Sequence, residues 1–140
     1  MELQNCINYL LTGAQHEVFQ LMSERLMPYE VTPGQYGVLA CLWEKDESNP
    51  KEIAQALGLE NSTMSGILDR MQKKGLIDRG VDPEDRRCVH VRLSPRGREL
   101  KEPVLQVVAQ VNEEIWSQFS PQDADTLRRC LKTIQQKYGS

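Results

Sequence analysis

The stretch that decides the fold is STMSGILDRMQKKGLIDR, residues 62–79. Its first part places apolar side chains at the i, i+3, i+4 and i+7 spacing of one helix face, at Met64, Ile67, Leu68 and Met71. Gly75 is typical of a helix end, and the residues after it alternate with a period of two. The stretch therefore predicts a helix from about Ser62 to Lys74, followed by a β-strand.

The opposite face of this helix carries small, polar and cationic residues, at Ser62, Thr63, Ser65, Gly66, Asp69, Arg70 and Lys73. A glycine in the middle of a helix costs about 1 kcal/mol relative to alanine, a loss that a helix fitting deep into a groove would tolerate. Hydroxyl groups contact both the bases and the phosphates of DNA. We expect Ser62, Thr63 and Ser65 to make such contacts, and Arg70 and Lys73 to meet phosphates.

Two capped helices are predicted before this one. The sequences TPGQ (32–35) and NPKE (49–52) each place a capping side chain before a proline at the first helical position. The second of these helices ends near Gly58, and only residues 58–61 separate it from the helix that follows. This is the length of a helix-turn-helix connection. Lys51, near the start of the second helix, is a further candidate for a phosphate contact.

A β-hairpin is predicted directly after the helix-turn-helix. Residues 76–81 form its first strand, and residues 89–93 alternate apolar and polar side chains as its second. The loop between them, DPEDRR (82–87), contains turn-forming residues and ends in Arg86 and Arg87. In a winged helix-turn-helix such a hairpin is the wing, and an arginine at its tip senses the width and negative potential of the DNA minor groove. We therefore expect both arginines to contact DNA.

Long helices are predicted on both sides of this segment. Residues 3–26 carry an apolar stripe that is long for a helix packing only on a small domain, so a partner helix, such as one from a second chain, is expected to cover it. Another helix starts at Ser94-Pro95, and Pro103 inside it should bend it or break its first turns. The last helix starts at Ser120-Pro121.

The composition limits the class of protein. With 140 residues, of which 39% are hydrophobic and 26% charged, the chain is expected to form one globular domain. The net charge is -3, but residues 1–49 hold an excess of acidic side chains and residues 61–98 an excess of basic ones. No apolar run of membrane-spanning length and no basic segment ahead of an apolar one occurs. Neither a membrane span nor a secretory signal is predicted, and the expected location is the cytoplasm.

The sequence offers no chemistry typical of an enzyme. The cysteines, at positions 6, 41, 88 and 130, lack CxxC spacing and are expected to be free thiols, and the two histidines do not have zinc-site spacing. A nucleophile–base constellation and a glycine-rich phosphate loop are also missing. We therefore expect no catalytic residue, no metal and no cofactor. Cys41 and Cys130 have apolar helical neighbours and, like Trp43 and Trp116, are expected in the core.

Two stretches resemble the MarR (multiple antibiotic resistance regulator) family of bacterial transcription factors. They are residues 62–79 and DPEDRRCVHVRLSPRGREL (82–100), in which a wing D-x-R pattern is followed by a strand and by L-[ST]-x-x-G. The resemblance implies a mainly α fold with a small β-wing. In that fold, residues of about 32–93 would form a winged helix-turn-helix DNA-binding lobe, and about 1–28 and 94–140 a helical dimerisation region.

The resemblance also implies a function. The chain is expected to be a homodimeric, sequence-specific DNA-binding regulator of transcription, a repressor released by a small aromatic or oxidant effector. Its two recognition helices would lie about 34 Å apart and match a pseudo-palindromic operator in double-stranded DNA. An alternative is a winged-helix module that binds proteins instead of DNA. Because phosphate contacts weaken steeply with salt, salt-sensitive retention on DNA would distinguish the two.

Individual roles follow from the same resemblance. Arg87 matches the family's wing arginine, and Asp69 matches the acid of the recognition helix that pairs with it. Gly66 departs from the family, since many members carry a longer, often basic side chain there, and this leaves the base preference at that position open. Cys6 is placed similarly to the reactive cysteine of peroxide-sensing members. Independently of the resemblance, Cys88 lies beside Arg87 on the predicted wing strand, where its oxidation could gate DNA contact. For Cys6 the alternative is a small apolar residue without a redox role.

Overall fold

The structure, a computed structural model, describes residues 1–81, 84–85 and 89–139. This part of the chain is mainly α-helical and contains a small antiparallel sheet of two strands. The elements in chain order are α1 (Ile7–Leu26), α2 (Pro33–Glu44), α3 (Pro50–Leu57), α4 (Asn61–Lys73), β1 (Ile77–Val81), β2 (Val89–Leu93), α5 (Pro95–Glu99), α6 (Lys101–Trp116) and α7 (Pro121–Tyr138). The sheet thus follows α4 directly, as the alternation after Gly75 predicts.

The caps that start and end the predicted helices are confirmed. Thr32 Oγ1 accepts a hydrogen bond from the Gln35 amide at 3.2 Å, and Gln35 Oε1 accepts one from the Thr32 amide, which completes a capping box on α2. Asn49 Oδ1 accepts hydrogen bonds from two backbone amides in the first turn of α3. Gly58 has φ +67° and ends α3 in the left-handed region that favours glycine. These local signals define the helix-turn-helix formed by α3 and α4.

The core lies beneath α4 and fixes the rotation of that helix about its axis. It is built from fully buried apolar side chains on several elements, among them Val38, Leu39, Leu42, Ile53, Met64, Leu68, Met71, Ile77, Val91 and Val104. Burying one such side chain contributes about 1.5–3 kcal/mol. Because three of these side chains belong to α4, a rotation of α4 would expose them, and the opposite face of the helix therefore stays directed at solvent.

The sheet is anchored at its base by the loop between α2 and α3. β1 and β2 pair in antiparallel register, with Ile77 opposite Leu93. The Val91 amide donates a hydrogen bond to the Ser48 carbonyl at 2.8 Å, and the Leu93 amide donates one to Asp46 Oδ1 at 2.9 Å. The loop therefore occupies the position of a third strand, and the hairpin is held against the helix-turn-helix.

The helix that follows the sheet is divided into α5 and α6. The division falls at Leu100, which caps both helices. Pro103 lies in the first turn of α6 and has no N–H with which to continue the hydrogen bonding of α5. The prediction that Pro103 breaks the first turns is confirmed.

The start of α5 approaches the loop after α4 closely at Gly97. A Cβ atom added to Gly97 would collide with the carbonyl oxygen of Leu76. On its other side, Trp43 Nε1 donates a hydrogen bond to the Gly97 carbonyl at 2.9 Å. Glycine at this position therefore allows α2, α5 and the residues before β1 to pack together.

Three expectations differ from the structure, and one of them is the placement of Trp116 in the core, since this side chain is only half-buried and lies outside the core cluster. The first helix is expected from residue 3, but Leu3–Asn5 form a 3-10 turn and Cys6, in extended conformation, precedes α1. Cys130 is expected in the core, and this is wrong: its side chain is exposed on α7. An apolar stripe shows that a helix face is covered but not which chain covers it. Within the described part of the chain, α7 has no buried residue, and nothing covers Cys130. Cys41 is half-buried against the core.

Apolar side chains remain exposed along both long flanking helices. On α1 and α7 they include Ile7, Leu10, Leu11, Val18, Phe19, Leu127 and Ile134. Except for Phe19, the α1 residues belong to the stripe for which the sequence predicts a partner helix. None of the helices that the structure describes combines the length and the apolar character that a membrane span requires.

Candidate nucleic-acid interface

The residues of α4 predicted to face DNA lie on one exposed surface. α4 buries Met64, Leu68 and Met71, so its opposite side is directed at solvent. That side presents Ser62, Thr63, Ser65, Asp69, Arg70 and Lys73, all exposed, and the half-exposed Gly66. These seven residues are named the recognition surface. The structure brings them together, and their contacts with DNA stay a prediction.

The first turn of α4 lacks a side-chain cap. Glu60 occupies the N-cap position, but its side chain accepts no hydrogen bond from the helix, in contrast to Thr32 on α2 and Asn49 on α3. The first amides of a helix have no partner within the helix, and the helix dipole makes this end positive. The recognition surface therefore begins, near Ser62, with amide donors that no side chain occupies.

Arg79 of β1 is bonded to two side chains of α4. Its Nη2 donates a hydrogen bond to Asp69 Oδ1 at 2.6 Å, and its Nε donates one to Gln72 Oε1 at 2.7 Å. The expected partner of Asp69 is Arg87, which lies outside the described residues, so that pairing stays a prediction. Sequence reasoning missed Arg79. The available signal was its position two residues after the buried Ile77, which places both side chains on the same face of the strand.

Arg70 lies against the backbone of Gly66, one helical turn earlier. A Cβ atom added at Gly66 would lie 3.7 Å from both Nη1 and Nη2 of Arg70. The guanidinium group therefore covers the position where a side chain of residue 66 would stand. Long helical side chains point back toward the helix N-terminus, which explains this direction.

Lys74, at the C-terminal end of α4, is bonded to the segment that joins α1 to α2 and to the first turn of α2. Its Nζ donates hydrogen bonds to the Glu30 carbonyl at 2.8 Å and to Gln35 Oε1 at 3.0 Å. Glu30 has φ +57°, and Gln35 is the buried member of the α2 capping box. Sequence reasoning missed this link, because nothing in the local pattern relates Lys74 to residues about forty positions away.

A groove of about 440 Å³ lies beside the recognition surface. Its lining includes Lys51 of α3, Ser65 of α4 and Arg79 of β1. Two cationic side chains and a hydroxyl are groups that suit an anion such as a DNA phosphate. Lys51 therefore lies where it could reach a phosphate, and its contact with DNA stays a prediction.

Most of the predicted wing tip lies outside the described residues, which include only 84–85 of the loop. This applies to Arg86 and Arg87, the expected minor-groove arginines, and to Cys88, the second candidate for oxidation. Their predicted roles therefore stay predictions. The strands on either side of the tip are described, and β1 is joined to the recognition surface through Arg79.

The cysteines within the described residues differ in their surroundings. Cys6 is half-buried at the start of α1, and Cys130 is exposed. Burial raises the pKa of the Cys41 thiol above its ordinary value, and the nearby Glu44 carboxylate raises it further. Since the thiolate is the reactive form of cysteine, this raised pKa makes Cys41 poorly suited to react with an oxidant.

Sequence comparison decides the family. Residues 31–89 match the MarR family, a segment that runs from the residue before the α2 cap to the start of β2. Over 134 residues the chain is 30% identical to the organic hydroperoxide resistance transcriptional regulator of Bacillus subtilis (strain 168), covering 96% of this chain and 90% of that protein. The chain belongs to the MarR family. It is a transcriptional regulator, and the family predicted from residues 62–79 and 82–100 is confirmed.

Solved structures of MarR-family regulators share the fold. A probable transcriptional regulator from Pseudomonas aeruginosa superposes with a TM-score of 0.88 at 28% identity, covering 95% of this chain and 99% of that one. A mutant MarR from Escherichia coli, complexed with operator DNA, superposes with a TM-score of 0.85 at 26% identity, covering 91% of this chain and 92% of that one. The predicted fold class, mainly α with a small β-wing in a winged helix-turn-helix, is confirmed.

Proposed function

We propose that this MarR-family regulator is a homodimeric, sequence-specific repressor that binds double-stranded DNA at a pseudo-palindromic operator. A small aromatic or oxidant effector releases it from DNA. It acts by binding, without catalysing a reaction and without a cofactor. The observation that carries the proposal is the recognition surface, an exposed polar helix face whose orientation is fixed by the four buried side chains on the opposite side of α4.

The chemistry of this surface suits the major groove of DNA. The groove, about 12 Å wide, admits an α-helix. Small residues in the first two turns of α4 allow its backbone to approach the base edges, and the hydroxyls of Ser62, Thr63 and Ser65 both donate and accept hydrogen bonds. The negative charge of Asp69 is compensated by Arg79 at 2.6 Å, which reduces its repulsion of the phosphates.

A second copy of the chain is the proposed cover for the exposed apolar stripe. Ile7 and Leu10 on α1 are 61% and 52% exposed, and Leu127 on α7 is 37% exposed. Burying them in a two-fold interface would pair the proposed dimerisation region, residues of about 1–28 and 94–140, with its copy. Sedimentation measurements should then give twice the chain mass, and Leu10→Asp should shift the protein toward the monomer. A wild-type monomer would contradict the dimer.

Two effector classes make different predictions for Cys6. The relative from Bacillus subtilis is named for organic hydroperoxide resistance, and Cys6 of this chain is a half-buried thiol at the start of α1. Oxidation there would favour a dimer geometry that no longer matches the operator. If an organic hydroperoxide is the effector, it should release the wild type from DNA but leave Cys6→Ser bound. If both proteins respond only to a panel of aromatic acids, the effector is a small molecule.

The proposal is tested by measuring DNA binding directly. Duplexes enriched by the wild-type protein from a randomised library serve as probes, and fluorescence anisotropy gives Kd between about 50 and about 200 mM salt. A dimer making several phosphate contacts on each half-site should lose roughly a thousandfold in affinity across this range. Failure to enrich any sequence, together with binding that does not depend on salt, would contradict the proposal.

The protein-interaction module is not favoured as an alternative. The relatives and structures to which the chain is similar are transcriptional regulators, and one of them is complexed with operator DNA. An interaction module also gives no reason for hydroxyl and cationic groups to share one exposed helix face. The library selection distinguishes the two functions, because a module of this kind would enrich no DNA sequence.

A further inference from the structure

We propose that Arg70 determines base specificity by binding a guanine in the major groove, and that Gly66 holds its guanidinium group in position to do so. The inference rests on the proposed DNA binding and deepens it, since it assigns a base to one side chain. From the sequence alone, Arg70 is expected to contact a phosphate. The proposal replaces this role with a contact to a base.

The first argument is the direction of the Arg70 side chain. Both terminal nitrogens lie 3.7 Å from the position that a Cβ atom at Gly66 would occupy. The guanidinium plane therefore sits over bare backbone, one turn closer to the start of α4 than the Cα atom of Arg70. In helix-turn-helix proteins the N-terminal part of the recognition helix contacts the base edges. Arg70 thus brings its charge toward the part of α4 that reads bases.

The second argument is that Arg70 is not committed to a carboxylate. The adjacent Asp69 is bonded to Arg79 at 2.6 Å. Some other exposed arginines have acidic partners, such as Glu114 for Arg25 and Asp125 for Arg128. Within residues 1–81, 84–85 and 89–139, no ion pair or hydrogen bond of the Arg70 side chain is present. Its donors are therefore available for a ligand on the recognition surface.

The third argument is the match between a guanidinium group and guanine. Two parallel N–H groups of arginine bind the O6 and N7 atoms of guanine together, which is the commonest base-specific contact in the major groove. A side chain at residue 66 would fill the space in which the guanidinium lies and would keep the helix backbone farther from the bases. Lys73, nearer the end of α4, carries a point charge without this fork and suits a phosphate at the groove edge.

The test uses duplexes selected from a randomised library by the wild-type protein. Each base pair of one half-site is substituted in turn, and Kd is measured for the wild type, Arg70→Ala, Arg70→Lys and Lys73→Ala. The wild type should prefer guanine at one position in each half-site by roughly tenfold. Arg70→Ala should lose this preference and keep those at other positions. Arg70→Lys should also lose most of it, because lysine keeps the charge but lacks the fork.

Lys73→Ala is the matched control for a phosphate contact. It should weaken binding to all duplexes by a common factor and lower the salt slope by about one. Replacing the preferred guanine by 7-deazaguanine, which lacks N7, should weaken the wild type but leave Arg70→Ala unaffected. If Arg70→Ala instead weakens all duplexes equally, Arg70 contacts phosphate and the proposal is overturned.

Gly66→Met tests the second half of the proposal. Methionine favours helices but fills the space over which the guanidinium lies, so the guanine preference should fall although Arg70 is retained. An unchanged preference would overturn the role of Gly66. If the wild type enriches no sequence, the proposed DNA binding itself is contradicted. If it enriches sequences but none contains a guanine whose preference depends on Arg70, only the role of Arg70 is contradicted.

Discussion

Arg79 of β1 and Asp69 of α4 join the wing to the recognition surface by an ion pair of 2.6 Å. Gln72 shares the same guanidinium group through Nε at 2.7 Å. The Asp69 side chain is 53% exposed and that of Arg79 is 29% exposed, so the pair lies at the edge of the interface and not in the core. Such exposed pairs contribute little to stability. We therefore predict that the pair orients the strand and compensates a carboxylate that would face DNA phosphates.

Arg79→Met should weaken DNA binding more than it weakens the fold. Loss of the partner leaves the Asp69 carboxylate facing the phosphates, while the free energy of unfolding should change by less than about 1 kcal/mol. Adding Asp69→Asn should restore part of the affinity, with a coupling of about 1 kcal/mol between the two sites. The measurement is a double-mutant cycle, in which Kd for one selected duplex is determined for the wild type, the two single variants and the double variant. Independent effects of the two substitutions would show that the pair has no role in binding.

Gly97→Ala and Gly66→Ala should change stability in opposite directions. A Cβ atom at Gly97 would collide with the Leu76 carbonyl and lie 3.1 Å from Leu93 Cδ2, so a loss of about 1–3 kcal/mol is expected. At Gly66 the added atom meets only Arg70 at 3.7 Å, an ordinary contact, and a gain of up to about 1 kcal/mol is expected. Urea unfolding measures the free energy of unfolding of both variants. A Gly97→Ala protein as stable as the wild type would contradict the packing described for α5.

The local elements of this fold were predictable, whereas the contacts between distant residues were not. The sequences at 32–35 and 49–52 contain the caps that the structure shows, because a cap and its partner amide lie within three residues. Arg79 and Lys74 were missed, since their partners are identified only after α4 is packed against other elements. Cys130 was placed wrongly, because an amphipathic pattern indicates a covered face without indicating which chain covers it.

Stability should fall at alkaline pH in a way that depends on Cys41. Its thiol has a raised pKa in the folded chain through burial and through Glu44, so the unfolded chain loses this proton first as pH rises. The contribution of the Cys41 thiol to the free energy of unfolding is fully present below the ordinary pKa of a thiol. It is lost as pH rises through the higher pKa of the folded state. Urea unfolding from about pH 8 to about pH 10 should therefore show a smaller decline for Cys41→Ala than for the wild type. Parallel pH profiles would rule out this origin.

Lys74→Met should separate orientation of α4 from direct contact with DNA. Lys74 donates hydrogen bonds to the Glu30 carbonyl and to Gln35 Oε1, so its ammonium group connects the end of α4 to the segment after α1. Because α1 belongs to the proposed dimerisation region, this link would help to set the spacing of the two recognition surfaces. Removing it should cost about 1 kcal/mol of stability.

The expected signature of Lys74→Met lies in operators that differ in the spacing between half-sites. The wild type should bind one spacing best, and Lys74→Met should lose affinity mainly for that spacing, since a less constrained α4 no longer favours it. Its salt slope should stay unchanged. The adjacent Lys73→Met, which removes a cation from the recognition surface, should instead lower the slope by about one and weaken all spacings alike. A uniform loss in Lys74→Met would mean that Lys74 stabilises the fold without positioning α4 for the operator.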